Sequence, residues 1–318
     1  MSDEFDNIAD RNSERGALER LLMAHLLEQR RGRRWNVFFR ALSFVFLFIV
    51  LFMVLNFEGE DFVSSGPHTA LVELQGEIGG EDGLSADALI GALGSAFEGK
   101  HTKAVVMRIN SPGGSPVHAG QVYDEIKRLK EKYPDIPFYV VVDDLCASGG
   151  YYIAAAADKI FVDKASLIGS IGVLMDGFGF TEAMKKLGVE RRLLTAGEHK
   201  GFLDPFAPID PVEEGHAKLM LNEIHQQFIQ AVRQGRGKRL KETPDMFTGL
   251  IWNGTRSIDL GLADGLGSLD YVAREVVKAE DILDYTPQED LAERLARRIG
   301  SAIGDHLRPW AGGEARVR

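Results

Sequence analysis

The sequence predicts an α/β domain built on a largely parallel sheet, preceded by one apolar N-terminal helix. Three observations predict this class. Short apolar runs rich in β-branched residues alternate, from residue 69 onward, with segments of helical apolar spacing. Glycine-rich turns follow two of the strand-like runs. A third feature, at residues 35–57, is an almost uninterrupted apolar run. Alternating strands and helices favour parallel pairing because helices cover both faces of such sheets.

The first element is the apolar run itself. Arg40 is the only charged residue between Val37 and Leu55. A bilayer core about 30 Å thick needs about 20 helical residues, so the run predicts a transmembrane helix. A buried core helix fits less well, because such helices are rarely apolar on every face over this length. A cleaved signal peptide is disfavoured because 34 residues precede the run and no small-residue cleavage motif follows it.

Flanking charges set the expected topology. Arginines precede the run and acidic residues follow it: Arg30, Arg31, Arg33 and Arg34, then Glu58, Glu60 and Asp61. Positive flanks stay in the cytoplasm, which predicts a single-pass protein of the inner membrane with a periplasmic main domain. The expected divisions are a cytoplasmic segment at 1–34, a signal anchor at 35–57, a linker at 58–68, the main domain at 69–280 and a C-terminal helical tail at 281–318.

Composition excludes some classes of protein. Residues 1–57 hold eight of the 37 basic and seven of the 47 acidic residues, so residues 58–318 carry a net charge of −11. Such an acidic domain is not expected to bind nucleic acid. The single cysteine rules out an intrachain disulfide. Neither His-x-x-x-His nor Cys-x-x-Cys spacing occurs, so no metal site is expected.

The elements of the main domain follow in order. The strand-like runs are TALVELQGEI, AVVMRIN, IPFYVVVDDL, KIFVD, SLIGSIGVLMD and VERRLLTAG. The helix-like segments are SADALIGALGSAFEG, PVHAGQVYDEIKRLKEKY, IAAAAD, TEAMKKLG and PVEEGHAKLMLNEIHQQFIQAVRQGR, with an amphipathic helix within 289–318. Ser85 or Asp87 is expected to cap the first helix. Pro116 suits the start of the second, where an amide hydrogen needs no partner.

Two turns, SPGGS at 111–115 and CASGG at 146–150, are candidate sites of chemistry. Exposed backbone N–H groups there could bind phosphate or stabilise an oxyanion. The G-x-x-x-x-G-K-[ST] and G-x-G-x-x-G spacings are absent from both turns, which disfavours phosphate. Glycine could also serve backbone geometry alone, so a catalytic and a structural role both stay open.

Ser148 in the second turn is a candidate nucleophile, which requires a base. His199 and its neighbour Lys200, in a loop rich in glycine and phenylalanine, are the two candidates. A lysine can serve if burial lowers its pKa enough to leave the amine neutral. Cys146 is a nucleophile in principle, although single cysteines are commonly buried and inert. The residues by themselves leave the base undecided.

Four motifs add a family resemblance: NSPGGS, CASGGYYIA, IGSIGV and GEHKGFLDPF. In this order behind an N-terminal apolar segment, they resemble the signal peptide peptidase A (protease IV) family in its short form, over residues 69–275. The resemblance implies a Clp/crotonase-like fold and a serine peptidase with a Ser-Lys dyad. Matched by motif, the residues and roles are Ser148 as nucleophile, Lys200 as general base, Ser170 as the group that orients the lysine amine, and the Gly114 and Gly149 amides as oxyanion hole.

The resemblance also implies partners. Signal peptides and other apolar peptides are the expected substrates, bound by strand pairing near SPGGS and Val173–Met175. A homo-oligomer with active sites near subunit interfaces is expected, and no cofactor. Activity should fall at acidic pH, because a lysine base must be neutral. Two alternatives remain: a crotonase-like acyl-CoA enzyme, which needs neither dyad nor anchor, and a non-catalytic membrane scaffold.

Overall fold

The computed structural model describes residues 33, 35–49, 66–80 and 85–287. The chain divides into two units: residues Met1–Val63 with Asp290–Arg318, and residues Ser64–Glu289.

In the first unit, residues 35–49 form helix α1, whose described side chains are all exposed. Within the described residues, no helix combines the length and apolarity needed to cross a membrane. Residues 50–57 of the predicted span at 35–57, and the amphipathic helix predicted within 289–318, lie outside the described residues. The transmembrane helix therefore stays a prediction.

The Ser64–Glu289 unit is built on a sheet with eight strands in the described residues. They are β1 (His68–Gln75), β2 (Thr102–Ser111), β3 (Phe138–Ala147), β4 (Lys159–Val162), β5 (Leu167–Gly169), β6 (Ile251–Asn253), β7 (Gly265–Leu266) and β8 (Ile282–Asp284). The main path runs β6-β5-β3-β2-β1-β8. The pairings are parallel except that of β5 with β6. The predicted α/β class with a largely parallel sheet is confirmed.

The sheet divides at β3. The first half of β3 pairs with β4 and its last three residues pair with β5. At the far edge, β8 pairs with β1. Because β8 lies within the range expected for the C-terminal tail, the sheet continues into that range.

Helices connect most of the strands. The α-helices of this unit are α2 (Ala86–Glu98), α3 (Pro116–Lys132), α4 (Gly149–Ala154), α5 (Thr181–Leu187), α6 (Pro211–Arg236), α7 (Gly254–Asp259) and α8 (Leu269–Tyr271). A 3₁₀ turn at Gly237–Arg239 and a π-helical turn at Val272–Val277 complete them. The side chain of Ser85 caps α2 by accepting from the Ala88 N–H at 3.2 Å, as predicted. Pro116 stands at the start of α3, also as predicted.

The core lies on both faces of the sheet. Alternate residues of β2, namely Val105, Met107 and Ile109, pack in the main cluster with helices α2 and α3. Val106 points the other way and packs with Phe161 in a smaller cluster. Side chains of a strand alternate between faces, so a strand apolar at nearly every position must be covered on both.

A buried ion pair connects the end of α6 to the strand region. The Arg236 side chain is fully buried, and its Nη1 lies 2.9 Å from Asp264 Oδ2. The same carboxylate accepts from the Ile160 N–H at 2.7 Å and pairs with Arg239 at 3.2 Å. Burial by itself raises the pKa of Asp264, but contact with Arg236, its charge and the Ile160 N–H outweigh burial, so this pKa is lower than usual.

Replacing Asp264 by Asn is expected to lower the free energy of unfolding by about 3–5 kcal/mol, because Arg236 is left as an uncompensated buried charge. Asp259→Asn is the control: Asp259 is exposed and 3.7 Å from Arg256, so its effect should stay within about 0.5 kcal/mol. Denaturant titrations near neutral pH measure both. Equal destabilisation by the two substitutions would contradict a structural role for the buried pair.

The same measurement has a pH dependence of known sign. The folded pKa of Asp264 lies below its usual value of 3.8. The Asp264 contribution is therefore complete above that value and is lost as the pH falls through the folded pKa. The destabilisation caused by Asp264→Asn should shrink over that acidic range.

Candidate active site

Ser148 lies at the sharp turn between β3 and α4. Its backbone has φ 50° and ψ −122°, a strained conformation for a residue other than glycine. The turn is held by the Ser148 N–H donating to the Gly169 carbonyl and by the Ser148 carbonyl accepting from the Tyr152 N–H, both at 2.9 Å. The half-buried Ser148 side chain makes no hydrogen bond within the described residues. A strained serine between a strand and a helix matches the geometry of known serine nucleophiles.

The SPGGS turn follows the neighbouring strand β2 and lies against Ile78. The Ile78 N–H donates to the Gly113 carbonyl at 2.8 Å, and the Ile78 carbonyl accepts from the Ser115 N–H at 3.0 Å. Ile78 and Gly114 thereby form a parallel bridge. Because Ile78 bonds to both neighbours of Gly114, the N–H of Gly114 itself is directed away from Ile78.

Gly114 lies close to Gly149. The Gly114 nitrogen lies 3.4 Å from the point that a Cβ on Gly149 would occupy. A Cβ on Gly113 would lie 2.7 Å from the Ser148 Cβ. Gly149 is the first residue of α4, so its N–H has no partner inside the helix. Neither the Gly114 nor the Gly149 N–H has an acceptor among the described residues. Two free amides beside a serine can stabilise a developing oxyanion.

Ser170 lies at the same edge of the sheet as Ser148. Their preceding residues, Gly169 and Ala147, are partners in the parallel pairing of β5 with β3. Ser170 also has a positive φ, 51°, and its N–H donates to the Leu250 carbonyl at 2.8 Å. The structure therefore brings Ser148, Gly114, Gly149 and Ser170 to one place.

Lys200 forms no hydrogen bond with Ser148 or Ser170 in the described chain. It lies in an exposed turn, and its side chain forms no hydrogen bond or ion pair in the part of the chain that the structure describes. We call residues 173–210, which contain this turn, the Lys200 arm. None of its residues is buried as a whole, although the Asp204 side chain, paired with Arg191 at 2.7 Å, is only 7% exposed. Its exposed apolar side chains include Leu174, Phe178, Leu187 and Leu194, which are 80%, 79%, 78% and 97% exposed.

The strand predicted from VERRLLTAG lies in the Lys200 arm and is not formed. The prediction of a strand there is wrong: the segment is apolar enough for a strand, but it pairs with no strand among the described residues. The strand-like run SLIGSIGVLMD is also shorter than expected, since β5 ends at Gly169 and the next residues are irregular.

The other candidate side chains are placed as follows. His199, the alternative base, has Nδ1 3.3 Å from Glu213 Oε1 and is half-exposed. Cys146 is completely buried, which raises the pKa of its thiol and makes it unsuited to nucleophilic attack. No group of three or more His, Cys, Asp and Glu residues within the described ranges could hold a metal ion.

Sequence reasoning missed several supporting residues. Ser111, fully buried, accepts from the Gly113 N–H at 3.1 Å and so fixes the SPGGS turn from within. His225 is half-buried, and its Nε2 lies 3.1 Å from the carbonyl oxygen of Ile171, the residue after Ser170. The first serine of SPGGS was a visible signal for Ser111. Neither Ile78 nor His225 carries a sequence signal of its contact.

Comparison with known proteins gives the family. The model of peptidase family S49 matches residues 130–283. A Methanocaldococcus jannaschii protein named "Putative protease MJ0651" is 31% identical over 215 residues, which cover 64% of this chain and 68% of that protein. An Enterococcus faecium protein named "Putative signal peptide peptidase SppA" is 28% identical over 215 residues, which cover 68% of this chain and 62% of that protein.

A third relative carries a different name. The "Na(+)/H(+) antiporter NhaA" of Brucella melitensis is 46% identical over 222 residues, which cover 70% of this chain but only 30% of the antiporter. This chain thus corresponds to less than a third of that protein. The family match and the Methanocaldococcus relative together show that the chain belongs to peptidase family S49.

Proposed function

We propose that this protein is a membrane-anchored serine endopeptidase that degrades cleaved signal peptides and other apolar peptides with a Ser-Lys dyad. One observation carries the proposal: a strained serine at a strand-to-helix turn beside two backbone amides that lack acceptors among the described residues. Membership of peptidase family S49 supports a serine peptidase. The name of the Enterococcus relative motivates the substrate class.

The proposed reaction is acyl transfer followed by hydrolysis. The Ser148 Oγ attacks the peptide carbonyl carbon while neutral Lys200 takes its proton. The N–H groups of Gly114 and Gly149 stabilise the negative oxygen of the tetrahedral intermediate. Lys200 then returns the proton to the leaving amine, which leaves an ester on Ser148. Water hydrolyses the ester with Lys200 again as base, and the Ser170 hydroxyl orients the lysine amine.

We propose that the active unit is a homo-oligomer, with Lys200 of one copy beside Ser148 of another. A lysine base needs a desolvated environment to stay neutral, and Lys200 is exposed in the single chain. The Lys200 arm also exposes large apolar side chains in series, which is typical of a surface that another protein covers. A neighbouring copy that packs against the Lys200 arm buries the Lys200 amine and places it beside the Ser148 of that copy. We also propose that the α/β fold has the Clp/crotonase-like form that the sequence resemblance implies.

Substrate is proposed to bind as an added strand. Residues 172–179 form no backbone hydrogen bond with another strand in the described chain, so their N–H and C=O groups can pair with an extended peptide. Leu174 and Met175 in this stretch are 80% and 52% exposed, which suits apolar side chains of the substrate.

The membrane anchor is proposed from α1 and its flanks. Every described side chain of α1 is exposed, including Phe44 at 72%, which in water is unfavourable and in lipid is not. We propose that residues 35–57 span the inner membrane, with the N-terminus cytoplasmic and the peptidase unit periplasmic. No observation favours the acyl-CoA enzyme or the non-catalytic scaffold.

The test uses the full chain, purified in detergent, and two fluorogenic peptides of equal length. One carries leucine at the central positions and the other asparagine at the same positions. The leucine peptide should be cleaved with a kcat/KM at least about tenfold higher, because apolar pockets discriminate on this scale. An assembled protein that cleaves neither peptide would overturn the peptidase proposal, and equal rates would overturn the apolar substrate class.

A further inference from the structure

One carboxylate holds the turn that carries Lys200. Glu213 lies in the first turn of α6, and its side chain is 13% exposed. Its Oε2 accepts from the Leu203 N–H at 3.1 Å, and its Oε1 lies 3.3 Å from His199 Nδ1. His199 and Leu203 stand on either side of Lys200 in the chain. A single side chain therefore fastens both ends of the turn.

The turn needs such a contact at Leu203. Leu203 has φ 51°, an unfavourable value for leucine. The backbone bonds inside the turn, such as those from the Lys200 N–H to the Gly197 carbonyl and from the Phe202 N–H to the His199 carbonyl, leave the Leu203 N–H unused. The Glu213 carboxylate satisfies that N–H and favours the strained conformation over its alternatives.

The position of Glu213 also connects the turn to the body of the peptidase unit. The first turn of a helix favours a carboxylate, because its free N–H groups carry partial positive charge. Farther along α6, Phe228, Ile229 and Val232 are buried in the main core. A rigid helix anchored in the core thus reaches the otherwise exposed Lys200 turn through Glu213. A second contact, between the rings of Phe202 and His216, joins the same two elements.

We propose that Glu213 is a positioning residue for the reaction: it fixes the turn so that Lys200 is presented to Ser148 in one geometry. This inference rests on the proposed role of Lys200 as the base. Displacing a catalytic group by about 1 Å can cost about 100-fold in rate, so losing the carboxylate should lower kcat strongly. Substrate binding does not involve the turn in this proposal, so KM should change little.

The same contacts allow a competing assignment. A histidine oriented by a carboxylate is the base of serine triads, and His199 with Glu213 has that form. Under that assignment His199 is essential and Lys200 is not. If Lys200 is the base, His199 contributes only a 3.3 Å contact between its half-exposed ring and Glu213. Removing His199 then leaves the hydrogen bond from the Leu203 N–H to Glu213 in place.

The experiment measures kcat and KM of the assembled full-length protein on the leucine peptide for four variants, with Lys200→Ala as the reference for loss of the base. Glu213→Ala should lower kcat by about 30- to 100-fold with KM within about twofold. Glu213→Gln should stay within about fivefold of wild type, because an amide oxygen can still accept from the Leu203 N–H. His199→Ala should also stay within about fivefold. Glu214→Ala is the control at the next residue, where the carboxylate pairs with Lys218 and should not affect kcat.

The outcomes separate this inference from the proposed function. Glu213→Ala with wild-type kcat, while Lys200→Ala is inactive, overturns the positioning role and leaves the dyad intact. An inactive His199→Ala together with an active Lys200→Ala overturns the lysine base itself. A Glu213→Gln as impaired as Glu213→Ala shows that charge, not the Leu203 bond, matters and also overturns the inference. Should Glu213→Ala fail to assemble, Glu213→Leu takes its place as the variant of similar size without an acceptor.

Discussion

Ser148→Ala and Lys200→Ala are each expected to lower the rate of peptide cleavage by about 10⁴-fold or more, with the oligomeric state unchanged. Nucleophile and base act as one unit, so removing either leaves only the residual effect of the oxyanion hole and of binding. The measurement is the initial rate on the leucine peptide. Lys186→Ala is the matched control, because Lys186 is an exposed lysine of the same arm, on α5, and should retain full activity.

A Lys200→Ala variant that keeps more than about a tenth of wild-type activity would be incompatible with a lysine base, since general-base contributions are about 10²- to 10⁴-fold. A Ser148→Ala variant that stays active would remove the serine mechanism altogether. Because both side chains are at least partly accessible in the single chain, neither substitution is expected to disturb the core.

Mixing the two inactive variants tests whether the dyad forms between copies. When Ser148→Ala and Lys200→Ala chains are co-assembled in equal amounts, about a quarter of the neighbouring pairs unite an intact Ser148 with an intact Lys200. Activity should then return to about a quarter of the wild-type level. No recovery in properly mixed oligomers would mean that each copy completes its own dyad.

The parts of the fold that the sequence predicts are those set by local signals. The strands up to β4 and the helices α2 and α3 follow from apolar periodicity, and the start of α2 follows from a side chain that can cap a helix. The helix expected at IAAAAD was misplaced: α4 is Gly149–Ala154 and ends two residues into that segment. The tight turn at Ser148 is also visible locally, as a serine followed by two glycines between a strand pattern and a helix pattern. Each of these features depends on residues close together in the chain.

The parts that the sequence does not predict depend on contacts between distant residues. The bridge that directs the Gly114 N–H away from Ile78 joins residues 36 positions apart, and Ser170 is fixed by the carbonyl of Leu250. The strand expected at VERRLLTAG shows that local strand character is not sufficient by itself. Its residues have strand character, but a strand requires a partner, and the described chain provides none. The surroundings that Lys200 would have in the proposed oligomer are likewise absent from any single-chain pattern.

Gly114→Ala is expected to lower kcat by about 10²- to 10³-fold, the loss associated with one oxyanion-hole donor. Gly114 has φ 143°, and an added Cβ would lie 2.3 Å from the Ile78 oxygen and 2.7 Å from the Ile78 nitrogen. Both obstacles are backbone atoms, so the methyl group cannot be accommodated by a side-chain rotation. The SPGGS turn must move away from Ile78, and the Gly114 N–H then loses its position beside Gly149.

Gly120→Ala is the control that separates this effect from a general response to adding a methyl group. Gly120 lies within α3, and a Cβ there would meet nothing within 4 Å. Alanine is the better helix former by about 1 kcal/mol, so Gly120→Ala should be slightly more stable and fully active. Rates measured well below the melting temperature of each variant, together with thermal unfolding, keep loss of catalysis apart from loss of folded protein. In Gly114→Ala the added methyl group clashes with Ile78, so the N–H of residue 114 cannot keep its position. A folded Gly114→Ala whose kcat equals that of Gly120→Ala would therefore show that other groups stabilise the oxyanion.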